Sequence, residues 1–270
     1  MPYCDKIREY SKEVYALLTE VFDYRLSYSE LGLTDQLVLQ IARWEYQMQS
    51  GQVEIYKTTW PIESVWGNDI DLFIQNSSGA YDWYALQAKV MSFNGAFKDL
   101  RYPWRSGRGQ WDMLLEHEQE FGSKGFYLLY CGRSQAAPTG VPTRSDCLGV
   151  PAIEELGLGI VDPQIIRNIR LNNLRHSQLF DFTQVFPDHI DSFRKLFCCD
   201  EERTRSVAQF QKEKIDIKGY RKIAYSPEEG LSKDDLGVDD AKYYEELEMD
   251  MRERARVRII VSQNEANDRT

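Results

Sequence analysis

The chain has 270 residues, of which 42% are hydrophobic and 13% aromatic, and its formal net charge is −10. This length supports one large domain or two small ones with an ample core, and the composition excludes a fibrous chain. A membrane-spanning helix is not expected because apolar runs are too short, and the first residues lack the basic-then-apolar order of a signal peptide.

The acidic charge is concentrated near the C-terminus. Between Glu228 and Glu253, eleven acidic and three basic residues give a net charge of −8, which leaves about −2 for the rest of the chain. The overall charge therefore does not exclude a polyanionic partner. One segment in the first half is instead rich in basic residues: Lys98, Arg101, Arg105 and Arg108.

Five cysteines occur in the sequence, at Cys4, Cys131, Cys147, Cys198 and Cys199. They form neither a C-x-x-C pair nor the regular spacing of a disulfide framework. We therefore expect reduced thiols and a cytoplasmic location. The three histidines are scattered along the chain, so a zinc site is not expected.

Two amphipathic helices and a strand are predicted first. Residues 5–25 carry apolar side chains at helical spacing. Thr34 is a candidate N-cap for a second helix that ends near Gly51. Residues 53–58 alternate as a strand until Trp60 and Pro61 interrupt the pattern.

A β-hairpin follows and is the most informative stretch. Its predicted strands are residues 69–75 and 82–90, joined by the turn residues 76–79. This pairing places Asp69 opposite the segment 87–89, so that Asp69, Asp71, Gln87 and Lys89 share one face. A sheet needs no such polar set for its stability, which makes the hairpin a candidate site.

A loop at 92–109 precedes a predicted helix at 110–121 and a buried strand at 126–131. The core order is thus α-β-β-β-α-β, an α/β (α+β) fold with a mixed central sheet flanked by helices. Residues 1–131 would form this core with its N-terminal helices, 132–225 would continue it, and 226–270 would hold an acidic linker, a charged helix and a short strand. Within these helical C-terminal additions, we predict strands at 158–161 and 256–262, and helices at 163–171, after Asp188, and at 201–214.

The hairpin face carries the groups that phosphodiester hydrolysis requires, namely oxygen ligands for a divalent cation and a positive charge near the phosphate. Asp69 offers a carboxylate, Gln87 a side-chain carbonyl and Ala88 a backbone carbonyl. Lys89 can orient the attacking water or neutralise the phosphate. The simpler alternative is that Asp69 and Lys89 form a cross-strand ion pair on a solvated face.

The order Glu63…Gly67-x-Asp69…Gln87-Ala88-Lys89 on this core resembles the PD-(D/E)xK, or restriction-endonuclease-like, nuclease superfamily, in its Q-x-K (Mrr-like) branch. The resemblance covers roughly residues 29–131, and Asn68 stands where the motif's proline would be. It implies a Mg²⁺ (or Mn²⁺) nuclease in which Asp69 and Gln87 bind metal and Lys89 is catalytic. Glu63 and Glu30 are candidates for the extra acid of such folds.

Other candidate residues keep more than one interpretation. Asp71 could bind metal, position water or be merely solvated. The basic residues 98–108, with an interleaved tyrosine and tryptophan, suit phosphate contact and base stacking, or form an ordinary solvated loop.

The first hypothesis is a metal-dependent endonuclease acting on DNA, which the resemblance connects with restriction or anti-phage defence. The second is a nuclease-fold module that binds nucleic acid or a protein without turnover, and the third is an RNase or toxin nuclease. No membrane partner is expected, whereas a homodimer or a regulatory protein partner stays open.

Overall fold

The structure is a computed structural model that describes residues 3–58, 66–98, 100, 109–135, 141–172, 179–200, 204–218, 220–223 and 255–263. Glu63, Arg101, Arg105, Arg108 and the acidic segment 226–253 lie outside these described residues. Among the helices that are described, none is both long and apolar enough to cross a membrane.

The described helices are α1 (Tyr3–Asp23), α2 (Glu30–Met48), α3 (Gln110–Phe121), α4 (Pro163–Asn172) and α5 (Lys195–Cys198). The described strands are β1 (Val53–Thr58), β2 (Ile70–Gln75), β3 (Tyr81–Val90), β4 (Ala96–Phe97), β5 (Lys124–Tyr130), β6 (Leu158–Val161), β7 (Phe180–Asp181), β8 (Asp191–Ser192), β9 (Gln209–Phe210), β10 (Tyr220–Lys222) and β11 (Val257–Val261).

Helix α1 forms where the sequence predicts it, because its buried side chains recur every three or four residues on one face. Helix α2 begins earlier than predicted. Its N-cap is Ser29, which has an extended backbone and whose hydroxyl accepts a 3.0 Å hydrogen bond from the N–H of Gly32. The prediction that Thr34 caps this helix is wrong, since Thr34 is buried in its second turn.

The sheet is mixed and runs in the order β10-β1-β11-β2-β3-β5-β6-β8, with β9 also pairing with β3. Strands β2 and β3 form the predicted antiparallel hairpin, whereas β3 and β5 are parallel. Parallel neighbours need a crossover, and α3 supplies it. This arrangement confirms the predicted mixed α/β architecture with helices flanking a central sheet.

The C-terminal strand β11 occupies a central place that the sequence does not reveal. It lies between β1, to which it is antiparallel, and β2, to which it is parallel. All five of its residues are buried, as expected for a strand that is covered on both faces. The hairpin is therefore held on one side by the end of the chain.

Of two further predicted helices, one is much shorter than expected and the other does not form in the described residues. The segment after Asp188 forms the short strand β8, which pairs with β6, and only Lys195–Cys198 is helical. Within 204–214, β9 pairs with β3 and a single 3-10 turn follows at Lys212–Lys214. In both places pairing to the sheet outweighs the local helical pattern.

The main hydrophobic core lies between the sheet and the helices, and a smaller cluster around Phe73 covers the other face. Four cysteines form disulfides, Cys4 with Cys198 and Cys147 with Cys199, whereas Cys131 is a buried thiol. The expectation of five reduced thiols is therefore wrong for four of them. Pairs that are 194 and 52 residues apart leave no spacing signal.

Candidate functional site

Asp69 is fixed at the start of β2 by its backbone. Its N–H donates to the carbonyl of Leu86 at 2.7 Å, and its carbonyl accepts from the N–H of Val257 at 3.2 Å. The chain enters through Gly67, which has a φ of 74°. A Cβ at Gly67 would lie 3.3 Å from Oε1 of Gln87, so glycine allows both the backbone conformation and the close approach.

The carboxylate of Asp69 contacts the segment predicted to lie opposite it. Its Oδ2 accepts hydrogen bonds from Nε2 of Gln87 at 2.7 Å and from the N–H of Ala88 at 2.8 Å. The same Nε2 lies 3.4 Å from the carbonyl oxygen of Ala88. One amide NH₂ group thus lies between a carboxylate oxygen and a carbonyl oxygen and can donate to both.

These oxygens are of the kind that hard cations prefer. Rotation of the Gln87 amide would turn its own oxygen toward Asp69 and Ala88, which gives three oxygen donors in one place. The residues present therefore fit a divalent cation, with Asp69 as the charged ligand and Gln87 and Ala88 as neutral ones.

Lys89 lies beside these residues with its side chain only 3% exposed. Its Nζ is 3.2 Å from Oε2 of Glu30, whose side chain is 32% exposed. Glu30 is the first residue of α2, where the Ser29 cap fixes the start of the helix. The structure thus pairs Lys89 with Glu30, while Asp69 is engaged by Gln87 and Ala88.

Two further residues frame the site, and the sequence patterns did not identify either of them as part of it. The hydroxyl of Tyr130, at the end of β5, lies 3.3 Å from Oγ1 of Thr34 in α2. Burial raises the pKa of Tyr130, and the nearby carboxylates of Asp69 and Glu30 act in the same direction. The continuous apolar pattern of β5 gave Tyr130 the appearance of an ordinary core residue.

Asp71 belongs to a different group of side chains. Its carboxylate accepts hydrogen bonds from Asn68 at 2.8 Å, Trp83 at 2.9 Å and Arg258 at 3.0 Å, and it is 1% exposed. A solvated Asp71 is therefore excluded. These three donors differ from those that Asp69 receives from β3, and a metal-binding role for Asp71 stays a prediction.

The other predicted site residues are only partly described. Lys98 is exposed just after β4. Glu63, Arg101, Arg105 and Arg108 lie outside the described residues, so their roles stay predictions.

A second group of potential metal ligands, Asp146, Cys147 and Cys199, lies far along the chain. Its two sulfurs form a disulfide with each other. Both oxygens of Asp146 accept hydrogen bonds from Arg194, at 2.7 and 3.1 Å. These ligand atoms are already engaged, so the group serves the packing around α5 and is not a clear metal site.

A family described as being of unknown function, DUF6615, matches residues 3–266. The chain belongs to the DUF6615 family. The match spans α1 to β11 and so includes every residue that frames the site. Comparison with curated proteins and with solved structures finds no match.

Proposed function

We propose that the protein is a metal-dependent nuclease that hydrolyses phosphodiester bonds, most readily of DNA, on a restriction-endonuclease-like core. The observation that carries the proposal is the convergence of the Asp69 carboxylate, the Gln87 amide and the Ala88 carbonyl beside a buried lysine. A cross-strand ion pair with a purely structural role would join Asp69 directly to Lys89. Here Lys89 contacts Glu30 instead, and Asp69 accepts from Gln87 and Ala88.

The sheet order supports the same proposal. In the expected core, two antiparallel strands carry the site and a helix leads to a parallel fourth strand. Strands β2, β3 and β5 with α3 have this arrangement. The insertion of β11 between β1 and β2 departs from a simple α-β-β-β-α-β succession.

Each residue has a role that follows from its position. Asp69, Gln87 and Ala88 would hold Mg²⁺ or Mn²⁺, which supplies Lewis-acid stabilisation of the charge that develops on the phosphate. Lys89 would donate a hydrogen bond to the attacking water or to a phosphate oxygen. Glu30 accepts from Nζ of Lys89 and so holds the ammonium group in place.

The test is a cleavage assay on linear, circular and single-stranded DNA and on RNA, with Mg²⁺, Mn²⁺ or EDTA. The wild type should cut at least one substrate in a metal-dependent way, and Asp69→Ala should lower the rate at least about 100-fold. Glu120→Ala, which removes an exposed carboxylate from α3, is the matched control and should cut normally. Equal cutting by Asp69→Ala and the wild type would overturn the assignment of the site.

The neutral residue at position 87 favours a second candidate, a module of the same fold that binds without turnover. A neutral ligand attracts a cation less than a carboxylate does, and Nε2 of Gln87 already satisfies Asp69. In that case no substrate would be cut, and the wild type and Asp69→Ala would bind nucleic acid equally. Cutting of RNA alone would select the RNase alternative.

The resemblance also implies a role in restriction or anti-phage defence. Plaque counts on cells that express the wild type or Asp69→Ala would test this setting. Protection that is lost in the variant is the expected outcome, and equal plaque numbers would contradict it.

A further inference from the structure

Three segments of the chain meet beside the candidate site. After β5, the N–H of Arg133 donates to Oγ1 of Thr19 near the end of α1, at 2.8 Å. The N–H of Gln135 donates to the carbonyl of Phe93, in the turn after β3, at 3.1 Å. The end of α1 and this turn are therefore bound to the same loop, 131–135.

This loop and this turn directly continue the strands that carry the site. Phe93 is four residues after Lys89, a distance of at most about 14 Å along an extended chain. The loop 131–135 begins immediately after Tyr130. A substrate held at Lys89 would thus lie within a few nucleotides of both.

Two aromatic rings are exposed on these segments, Tyr24 at 72% and Phe93 at 37%. Single exposed apolar side chains are common on proteins, but the turn that presents Phe93 is firmly held. Within it, Oδ1 of Asn94 accepts from the hydroxyl of Ser92 at 2.6 Å and from the N–H of Ala96 at 3.2 Å. A held turn presents the ring without any ordering on binding, which favours affinity.

Two arginines accompany the rings. Arg25 has a φ of 55° at the end of α1, a left-handed conformation in which glycine is the favoured residue. A long cationic side chain at such a position suggests a use other than ending the helix. Arg133 lies 3.7 Å from Asp23, and both side chains are about two-thirds exposed. Such a pair is weak, so a phosphate can replace Asp23.

We propose that Tyr24, Arg25, Phe93 and Arg133, here called the aromatic rim, bind a single-stranded segment of nucleic acid and lead it to Lys89. Stacking on an exposed ring requires a base whose face is free, and bases in a duplex are already stacked on their neighbours. The arginines match the phosphates that alternate with such bases. The inference deepens the proposed nuclease function, on which it rests for the position of the cut, by naming its substrate class.

Binding is tested separately from cleavage, by fluorescence anisotropy in EDTA. The probes are labelled oligothymidylate, oligouridylate and a mixed-sequence duplex of equal length. The single strands should bind more tightly than the duplex, and the relative affinity of the thymidylate and uridylate probes shows whether DNA or RNA is preferred. Tyr24→Ala and Phe93→Ala should each weaken single-strand binding about 5- to 100-fold.

The chain offers matched controls for both kinds of residue. Tyr46→Ala removes a ring from the far end of α2 whose exposure, 47%, lies between those of Phe93 and Tyr24, and should leave binding unchanged. Arg25→Gly relieves the left-handed backbone but should lower the salt dependence of binding by about 0.7 in the log–log slope. Gln49→Gly also places glycine at a left-handed position, with φ 46° at the end of α2, and should not alter that slope.

The outcomes separate the two proposals. Rim variants that weaken binding, in a protein that cuts nothing, would support the rim and contradict the nuclease. A protein that cuts duplex DNA and binds single strands equally with and without the rim side chains would overturn the rim alone. Sedimentation velocity that shows a wild-type dimer dissociating in Tyr24→Ala and Phe93→Ala, without single-strand binding, would overturn it in favour of self-association.

Discussion

Asp69 and Asp71 stand two residues apart at one end of β2, yet their surroundings differ. Asp71 is fully buried and faces the guanidinium of Arg258 at 3.0 Å. Asp69 is partly exposed, and the donors it receives from β3, the amides of Gln87 and Ala88, are neutral. Asp71 is thus paired with a cation inside the fold, whereas the hydrogen bonds that Asp69 receives from β3 come from neutral groups.

This difference separates the polar groups that the fold needs for its stability from those that it does not need. A buried charge needs a paired and hydrogen-bonded partner, and Arg258 meets this need for Asp71. Burial alone would lower the pKa of Arg258, but Asp71 together with Tyr220 and Asp216 outweighs it, and the pKa is raised. Asp69 and Lys89 make no comparable closed pair with each other, so they are the groups whose loss should affect chemistry more than stability.

The largest effect on stability is expected for Asp71→Ala. It leaves Arg258 buried without its carboxylate, which should lower the free energy of unfolding by about 3–5 kcal/mol. Urea denaturation measures this value. The matched change Asp69→Ala should cost less, about 1–3 kcal/mol, because the amides that it leaves unpaired, on the buried Gln87 and Ala88, are neutral.

The double variant Asp71→Leu/Arg258→Met keeps this comparison testable if Asp71→Ala does not fold. Apolar replacement of a whole buried pair is often neutral, so the double variant should recover most of the lost stability. Equal destabilisation by Asp69→Ala and Asp71→Ala would break the distinction between the two carboxylates.

Lys89→Met should affect cleavage much more than stability, which is the reverse of what is expected for Asp71→Ala. The methionine preserves the buried aliphatic volume, and Glu30, which is one-third exposed, can remain charged in water. We therefore expect the free energy of unfolding to change by less than about 1 kcal/mol. Cleavage should fall at least about 100-fold. A strongly destabilised but active Lys89→Met would show that the pair is structural.

Much of this site could be predicted from the hairpin alone. Strict alternation and the Asn-Ser-Ser-Gly turn predict the register that puts Asp69 against Gln87 and Ala88, and the structure agrees. The same alternation gives Asp71 an equal claim, because period two cannot tell which of two carboxylates meets a cation. The partner that decides it, Arg258, is 187 residues away in the sequence.

The missed helix start has a related cause. Ser29 and Thr34 both precede apolar residues at helical spacing, and local pattern does not show which one ends the extended chain. Thr34 instead makes a tertiary contact, through its hydroxyl, with the hydroxyl of Tyr130. The long-range disulfides and the short strands β8 and β9 likewise depend on partners that no window of sequence contains.

Thr34→Val tests whether this tertiary contact supports the Asp69 side of the comparison. Thr34 is one turn after Glu30, so its 3.3 Å contact with Tyr130 ties the start of α2 to the end of β5. Loss of the contact should cost about 1 kcal/mol of stability and weaken cleavage several-fold. Thr34→Ser, which restores the hydroxyl, should recover cleavage. An inactive serine variant would assign the effect to packing of the methyl group.

A pH dependence of stability is expected from His117, which lies beside the side chains around Asp71. His117 is buried, its Nδ1 lies 2.7 Å from Oγ of Ser123, and its ring packs edge-on against Trp83, the donor to Asp71. Burial lowers the pKa of His117, and Arg258 adds to this effect whereas Asp71 opposes it.

Below the ordinary value of 6.5, the unfolded chain therefore binds a proton at His117 that the folded chain does not yet accept. The free energy of unfolding should fall as the pH drops through this window, by at most about 1.4 kcal/mol per pH unit, until the folded pKa is reached. Denaturation of the wild type and of His117→Gln between about pH 7.5 and 5 measures this dependence. The variant should have the flatter profile. Parallel profiles would mean that the Asp71 carboxylate cancels the effect of burial on the pKa of His117.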